Sequence, residues 1–126
     1  MEGSLKLKEI SYIHSEAFQA GELKHGSISL IDKDFGVIAV VTDKEISEKT
    51  ISNLKEVESR GANIVTITNI KDDDFSKYKI LLDDYNEVLN PLMAIIPMQL
   101  LAYNIAKLKG CDIDKPRNLA KSVTVE

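Results

Sequence analysis

The chain has 126 residues, of which 44% are hydrophobic and 29% charged, and its formal net charge is −4. This length and composition are typical of one globular domain with a single core, and they exclude a largely disordered chain. The acidic balance and the dispersed basic residues argue against nucleic acid or an anionic membrane surface as the main partner, because both favour clustered Lys and Arg.

The single cysteine, Cys111, excludes an internal disulfide, and together with two histidines it leaves no zinc-type cluster. We expect no metal, no cofactor and a reducing, cytoplasmic setting. The N-terminus lacks the continuous apolar core of a signal peptide. The most apolar stretch, Leu92 to Tyr103, is interrupted by Pro97 and Gln99 and is shorter than the ~20 residues that a bilayer needs, so we expect no membrane span.

The first predicted element is an amphipathic helix that starts near Leu5 and ends at Gly21, a residue that tolerates left-handed geometry. At about 100° per residue, four apolar side chains share one arc of this helix: Ile10, Ile13, Ala17 and Ala20. Lys6 falls inside the arc, and Glu9 lies three residues later on its edge. This spacing predicts that the two charges can meet on one helix face.

The short loop from Glu22 to Gly26 carries His25, and imidazole is the side chain best suited to proton transfer near neutral pH. Each candidate also has an ordinary explanation. A lysine near a helix start commonly lays its stem along apolar surface, Glu9 fits a solvated rim carboxylate, and His25 fits an ordinary loop histidine. The residue pattern by itself leaves both interpretations open.

The middle of the chain alternates predicted strands with one surface helix. The segment Ser27 to Asp32 is left as an irregular connection that packs on the site or closes over it. Continuous β-branched runs predict strands buried on both faces at Phe35–Thr42 and Asn63–Thr68, and a short third strand follows at Tyr78–Leu82. A narrow apolar stripe predicts a surface helix from about Glu45 to Arg60.

Two further segments complete the predicted elements. The consecutive aspartates Asp72 to Asp74 fit a solvated turn better than a metal site, because adjacent ligands rarely converge without partners elsewhere. Asn90 and Pro91 predict a helix start. The helix that follows, Leu92 to Leu108, is apolar almost all round, which predicts burial on most faces and a kink or second start at Pro97.

This order of elements predicts an α/β fold, a three-layer sandwich with a parallel sheet between helices. Three strands make an incomplete sheet, and no strand precedes the first helix. At least one edge is therefore expected to stay open, so that the chain completes itself by association or is a piece of a larger design. The segment from Cys111 to Glu126 has no periodicity and, from its pattern, fits a frayed polar terminus in which Lys121 is a surface charge.

Four segments closely resemble the C-terminal part of the glucosamine-6-phosphate synthases, the isomerising glutamine:fructose-6-phosphate amidotransferases. They are LKLKEISYIH (5–14), GELKHG (21–26), QLLAYNIA (99–106) and PRNLAKSVTVE (116–126). In that family a glutaminase domain releases ammonia, and two sugar isomerase (SIS) halves use it to convert fructose 6-phosphate to glucosamine 6-phosphate. The resemblance implies a doubly wound SIS fold, with an N-terminally truncated second SIS half at 1–110 and a C-terminal active-site tail at 111–126.

The resemblance also implies roles for individual residues. Glu9 matches the general base that moves a proton between C1 and C2 of the sugar, and Lys6 matches a lysine near the reacting sugar. His25 matches the histidine that assists ring opening in the neighbouring subunit, which implies a homodimer. Lys121 matches the lysine that forms a Schiff base with the ketose, and Ala120 matches a backbone contact to the sugar.

General chemistry is compatible with these roles. An aldose–ketose shift needs a base within hydrogen-bond reach of both carbons, and a carboxylate near a lysine can be tuned by burial and by that charge. A Schiff base needs a neutral amine, so the tail would have to desolvate Lys121 in part as it folds over the site.

The sequence departs from the family pattern at several points. Ser27 replaces the proline that usually follows KHG, which is expected to loosen the His25 loop. The serine and threonine cluster that grips the sugar phosphate at a helix N-terminus is missing, the chain begins inside the family's helix, and Met1 is followed by Glu2 instead of a nucleophilic cysteine. We expect little or no amidotransfer by the isolated chain.

Two alternatives stay open on the sequence. One is a non-catalytic SIS module that binds a phosphosugar such as fructose 6-phosphate or glucosamine 6-phosphate. The other is a truncated chain whose stability depends on dimerisation through the open sheet edge and the helix from Leu92 to Leu108.

Overall fold

The computed structural model describes residues 1–71 and 75–119. Within these residues the chain forms, in order, α1 (Glu2–Ser11), β1 (Gly36–Val41), α2 (Ser47–Glu58), β2 (Asn63–Thr68), β3 (Tyr78–Leu81) and α3 (Asn90–Leu108). Two short 3-10 helices, Ala20–His25 and Ser27–Leu30, lie between α1 and β1. By its internal contacts the chain divides into two compact units, Phe18–Pro97 and Met1–Ala17 with Met98–Glu126.

The Phe18–Pro97 unit contains a parallel sheet with the strand order β1-β2-β3. Gly36 pairs with Asn63 at the start of β1 and β2, and Val65 pairs with Tyr78 where β3 joins. The predicted α/β class and its three-stranded parallel sheet are confirmed. The predicted bounds of β2 are also confirmed, because a continuous β-branched run suits a central strand.

The hydrophobic core of this unit lies between β1, β2 and α2. Leu54 and Val57 of α2 are 2% and 0% exposed, as the apolar stripe of the predicted surface helix requires. The remaining buried members of the core are Ala39, Val41, Ala62 and Ile64. Leu23 and Ile31 pack against the core from the 3-10 segments, so the chain that carries His25 is attached to the sheet unit through these side chains.

The burial predicted for β1 is wrong on one face of the strand. Ala39 and Val41 are 8% and 3% exposed, whereas Val40 between them is 44% exposed. Successive side chains of a strand point to opposite faces, so α2 covers one face while the other has little cover within the described part of the chain.

The first helix is shorter than predicted, and the expectation that it continues to Gly21 is wrong. It ends at Ser11, and Tyr12 caps it in a left-handed conformation with φ 59° while its amide donates to the Lys8 carbonyl at 3.1 Å. Ser15 then donates from its hydroxyl to the Ser4 carbonyl, and the Ser4 hydroxyl donates to the Ser15 carbonyl, both at 3.0 Å. These bonds fold the chain back along α1 in place of further helical turns.

The last helix has the predicted position, but the prediction that it is buried on most faces is wrong. Its buried side consists of small residues, with Ala94, Ala102 and Ala106 between 0% and 4% exposed. Four large side chains remain between 45% and 58% exposed: Leu92, Ile96, Leu100 and Tyr103. The apolar composition predicts an apolar helix, but it does not specify how much of the helix surface this chain itself covers.

On length and composition alone, α3 could cross a membrane, and it is the one such helix found within the described residues. Of its 18-residue apolar window, 17% is buried. This observation is weak evidence for a membrane span, because the core helix of a soluble protein meets the same criteria.

A polar network lies beyond the carboxyl ends of β1 and β2. Asp84 accepts a hydrogen bond from Lys44 at 2.7 Å and another from the buried Asn69 at 2.9 Å. The hydrogen bond from Lys44 is the main cause that lowers the pKa of the Asp84 carboxyl, and donation from Asn90 contributes in the same direction. The loop before α3 is therefore tied to both strands through one carboxylate.

Candidate active site

Lys6 and Glu9 meet on one face of α1, as their spacing predicts. The Lys6 Nζ lies 2.5 Å from Glu9 Oε2, and the two side chains are 34% and 24% exposed. Glu2, one turn earlier, places a second carboxylate 3.8 Å from the same ammonium. The helix thus holds a cation and a carboxylate together on a half-buried surface.

The pKa of Lys6 is raised above its ordinary value of 10.5, chiefly because its ammonium donates a hydrogen bond to Glu9, with partial burial acting in the opposite direction. Lys6 therefore stays protonated at neutral pH. An ammonium can stabilise negative charge on a nearby oxygen, but it cannot attack a carbonyl, because a nucleophilic amine must be neutral.

His25 is the last residue of the first 3-10 helix and is exposed. Its neighbours hold the segment in place, since Leu23 packs against the core and Lys24 pairs with Glu56 of α2 at 2.6 Å. The chain then turns at Gly26 with φ 142°, a conformation that residues with a Cβ rarely adopt. His25 belongs to the Phe18–Pro97 unit, whereas Lys6 and Glu9 belong to the other.

Three predictions fall outside the described residues. Ala120 and Lys121 follow Leu119, the last residue described, and Asp72 to Asp74 lie in the gap between 71 and 75. The roles of Ala120 and Lys121 therefore stay predictions from the resemblance.

The structure adds a set of contacts at the C-terminal end of α1 that the sequence did not indicate. The Arg117 amide donates to the Tyr12 hydroxyl at 2.9 Å, and the Arg117 guanidinium lies 4.2 Å from the centroid of the Tyr12 ring. The Lys109 ammonium donates to the Ser11 carbonyl at 2.7 Å. Tyrosine is disfavoured in left-handed geometry, so no sequence pattern points to Tyr12 as the helix cap.

Within residues 1–71 and 75–119 no group of three or more His, Cys, Asp or Glu side chains is placed to hold a metal ion. Two of the clefts formed by the described residues lie in the Phe18–Pro97 unit, and neither of these two is lined by Lys6, Glu9 or His25. One is lined by Thr42, Asp43, Glu45, Glu87 and Pro91, and the other by Glu58, Ala62, Asn63, Ile64, Phe75, Ser76, Lys77 and Tyr78.

The sequence is similar to a known family and to proteins of known activity. The family model of the SIS domain matches residues 1–108. The chain is 53% identical over its whole length to the isomerising glutamine–fructose-6-phosphate aminotransferase of Clostridium perfringens, and 52% identical to that of Caldanaerobacter subterraneus. It spans 22% and 21% of these relatives, about a fifth of their length.

Two solved structures have the same fold. The C-terminal domain of glucosamine-fructose-6-phosphate aminotransferase from Francisella tularensis is 43% identical with a TM-score of 0.82, and the match covers 90% of this chain and 33% of that one. A glucosamine-6-phosphate deaminase from Thermotoga maritima is 28% identical with a TM-score of 0.74, and the match covers 96% of this chain and 35% of that one.

Proposed function

Because the chain belongs to the SIS domain family, we propose that it carries the isomerase chemistry of a glutamine–fructose-6-phosphate aminotransferase and acts on fructose 6-phosphate. It matches the C-terminal SIS isomerase portion of these enzymes. The observation that carries the proposal is the Lys6–Glu9 pair on α1, because it sets a carboxylate beside a permanent cation on a surface open to a ligand.

In the proposed reaction the open-chain sugar is held as an imine at C2. Glu9 removes a proton from C1, a C1=C2 bond forms, and the C2=N electrons of the protonated imine move to the nitrogen. The C1 hydroxyl then loses its proton as the C1=O bond forms, and the electrons of the C1=C2 bond take up a proton at C2. This converts the ketose imine into an aldehyde at C1 with an amine at C2. The Lys6 ammonium stabilises the negative charge that develops on the C1 oxygen.

The two lysines have different parts in this proposal. The hydrogen bond to Glu9 keeps Lys6 protonated, which suits an electrostatic role and not imine formation. The resemblance to the family assigns the amine that attacks C2 to Lys121 and a backbone contact with the sugar to Ala120. Ammonia from glutamine attacks the C2 imine before the proton shift and displaces the Lys121 amine, so that the nitrogen left on C2 comes from ammonia.

The assembly is part of the same proposal. His25 is exposed and follows a segment fixed to the sheet unit, which suits a side chain that acts on the sugar in a neighbouring subunit of a homodimer. The exposed large side chains of α3 are compatible with such association. We also propose a cytoplasmic location, a SIS region at 1–110 and an active-site tail at 111–126.

The isomerase step can be tested without glutamine. The full chain is incubated with fructose 6-phosphate in deuterated water, and deuterium at C1 is measured by mass spectrometry. Glu9→Gln should abolish the exchange while binding, measured by calorimetry, changes little, because the amide keeps the shape and removes the base. Glu16→Gln, an exposed carboxylate in the same unit, is the matched control and should exchange normally.

Two results would contradict the proposal. Binding of fructose 6-phosphate by the wild-type chain without exchange would favour a non-catalytic phosphosugar-binding module. Exchange that persists in Glu9→Gln would show that another group is the base.

A further inference from the structure

Tyr12 has a left-handed backbone conformation, and its side chain contacts Arg117. A bulky aromatic residue rarely adopts φ 59°, and such a strained backbone persists only where surrounding contacts hold it. Here both parts of the side chain are engaged, since the hydroxyl accepts from the Arg117 amide and the ring lies under the Arg117 guanidinium. The strained position is therefore the point at which two distant parts of the chain meet.

A second contact holds the same end of α1. Lys109, just past the end of α3, donates to the Ser11 carbonyl at 2.7 Å. Between Lys109 and Arg117, Asp112 accepts from the amides of Asp114 and Lys115 at 3.1 Å and 3.0 Å, which closes a turn. The chain from Lys109 to Arg117 is thus held to the C-terminal end of α1 at both of its ends.

Chain geometry turns this attachment into a constraint on the tail. Arg117 and Lys121 are separated by four peptide links, which span at most about 14 Å when fully extended. Tyr12 follows Glu9 by about one helical turn, roughly 5 Å along the axis. Fixing Arg117 at Tyr12 therefore limits how far from the carboxylate the chain after Arg117 can begin, and Glu9, Tyr12 and Arg117 belong to one unit.

We infer that Tyr12 is a positioning residue, whose ring and hydroxyl fix Arg117 at the C-terminal end of α1 and so keep the tail within reach of Glu9. The inference rests on the proposed function, because it takes Lys121 as the imine-forming amine. It adds that the spacing between amine and base is set by a residue that contacts neither sugar nor reacting atoms.

The test uses the full chain and the variants Tyr12→Phe and Tyr12→Leu, with Tyr103→Phe on the exposed face of α3 as the matched control. The first measurement is amide hydrogen exchange at Arg117. Tyr12→Phe removes the acceptor and keeps the ring, so exchange at this amide should become about three- to tenfold faster. Tyr12→Leu removes both contacts and should give a larger increase.

The second measurement is chemical. Fructose 6-phosphate and cyanoborohydride are added, and the reduced secondary amine at Lys121 is followed by mass spectrometry of the tail peptide. The trapping rate should fall in the order wild type, Tyr12→Phe, Tyr12→Leu, with about a tenfold loss for the last variant, while the calorimetric affinity for the sugar changes less than twofold. A general loss of folding would lower both quantities together, and Tyr12→Phe decides the test if Tyr12→Leu does not fold.

The outcomes separate this inference from the function on which it rests. Unchanged exchange at Arg117 in Tyr12→Phe overturns the attachment, whatever the chemistry shows. Faster exchange with an unchanged trapping rate overturns the positioning role. Faster exchange in a chain whose wild type yields no adduct at Lys121 supports the attachment and contradicts the proposed function.

Discussion

Replacing Gly3 with alanine tests the packing that holds α1 in place. Gly3 is buried in the first turn of the helix, and an added Cβ would overlap the Met98 Cε and lie 2.9 Å from the Met98 Cβ. The methyl end of Met98 can swing away, whereas its Cβ is fixed to the backbone of α3. The substitution therefore forces the two helices to shift by a few tenths of an ångström.

Two opposing effects set the magnitude. Alanine is favoured over glycine in a helix by up to about 1 kcal/mol, while forcing an extra methyl into a packed site costs about 1–3 kcal/mol. The expected net loss in the free energy of unfolding is thus about 1 kcal/mol, which lowers the melting temperature by roughly 4 °C in a domain of this size.

Urea and thermal unfolding followed by circular dichroism measure this loss. Gly21→Ala is the control, because nothing lies within 4 Å of its added Cβ, and its stability should stay within about 0.5 kcal/mol of wild type. Met98→Ala in the Gly3→Ala background should be less harmful than in wild type, since the two sites are in contact. A Gly3→Ala chain more stable than wild type by the full helix-propensity gain would refute the packing argument.

Three further substitutions are predicted to have distinct effects. Val57→Ala leaves a cavity beneath α2, where the side chain is 0% exposed, and should cost about 2 kcal/mol in the free energy of unfolding measured in urea. Asp84→Asn should destabilise the chain at neutral pH. The pKa of Asp84 in the folded chain lies below its ordinary 3.8, so the carboxylate contributes stability above that pH. This contribution is lost as the pH falls through the folded pKa. The difference in urea midpoint between Asp84→Asn and wild type should therefore shrink in acid. Glu9→Gln should cost no more than about 0.5 kcal/mol at neutral pH, since an i,i+3 ion pair on a half-exposed face contributes little. The folded pKa of Lys6 is raised above 10.5, so this small difference should vanish in strongly alkaline urea titrations, where Lys6 is neutral in both states.

The elements that the sequence predicted well are those in which local pattern and tertiary burial agree. β2 is central in the sheet, and its β-branched run fixes both its bounds and its burial. The stripe of α2 likewise placed Leu54 and Val57 in the core. The resemblance to the amidotransferase family, stated on short motifs, is confirmed by the match over the whole chain.

The errors arise where long-range contacts decide. Apolar periodicity continues past Ser11, but the hydrogen bonds between Ser4 and Ser15 and the contacts of Tyr12 with Arg117 end the helix early. No local signal encodes a partner 105 residues away. For α3 the composition correctly predicts an apolar helix. It does not show which faces of the helix are covered, because that depends on the surfaces that pack against it.

The candidate site was predictable in part. The Lys6–Glu9 pair follows from spacing within one helix and is confirmed. The attachment of the tail could not be derived, because it requires a tyrosine in a conformation that propensity disfavours. The roles of Glu9, His25 and Lys121 in catalysis stay predictions that the proposed exchange and trapping experiments address.

The contact between Met98 and Gly3 also has a chemical consequence. The Met98 side chain fills the space that Gly3 leaves open, so a chemical change at the Met98 sulfur would alter the packing of α1 against α3. Oxidation to the sulfoxide adds an oxygen and turns a flexible apolar side chain into a polar one. Peroxide would then loosen the helix that bears Lys6 and Glu9 without attacking either residue, and methionine sulfoxide reductase would restore it.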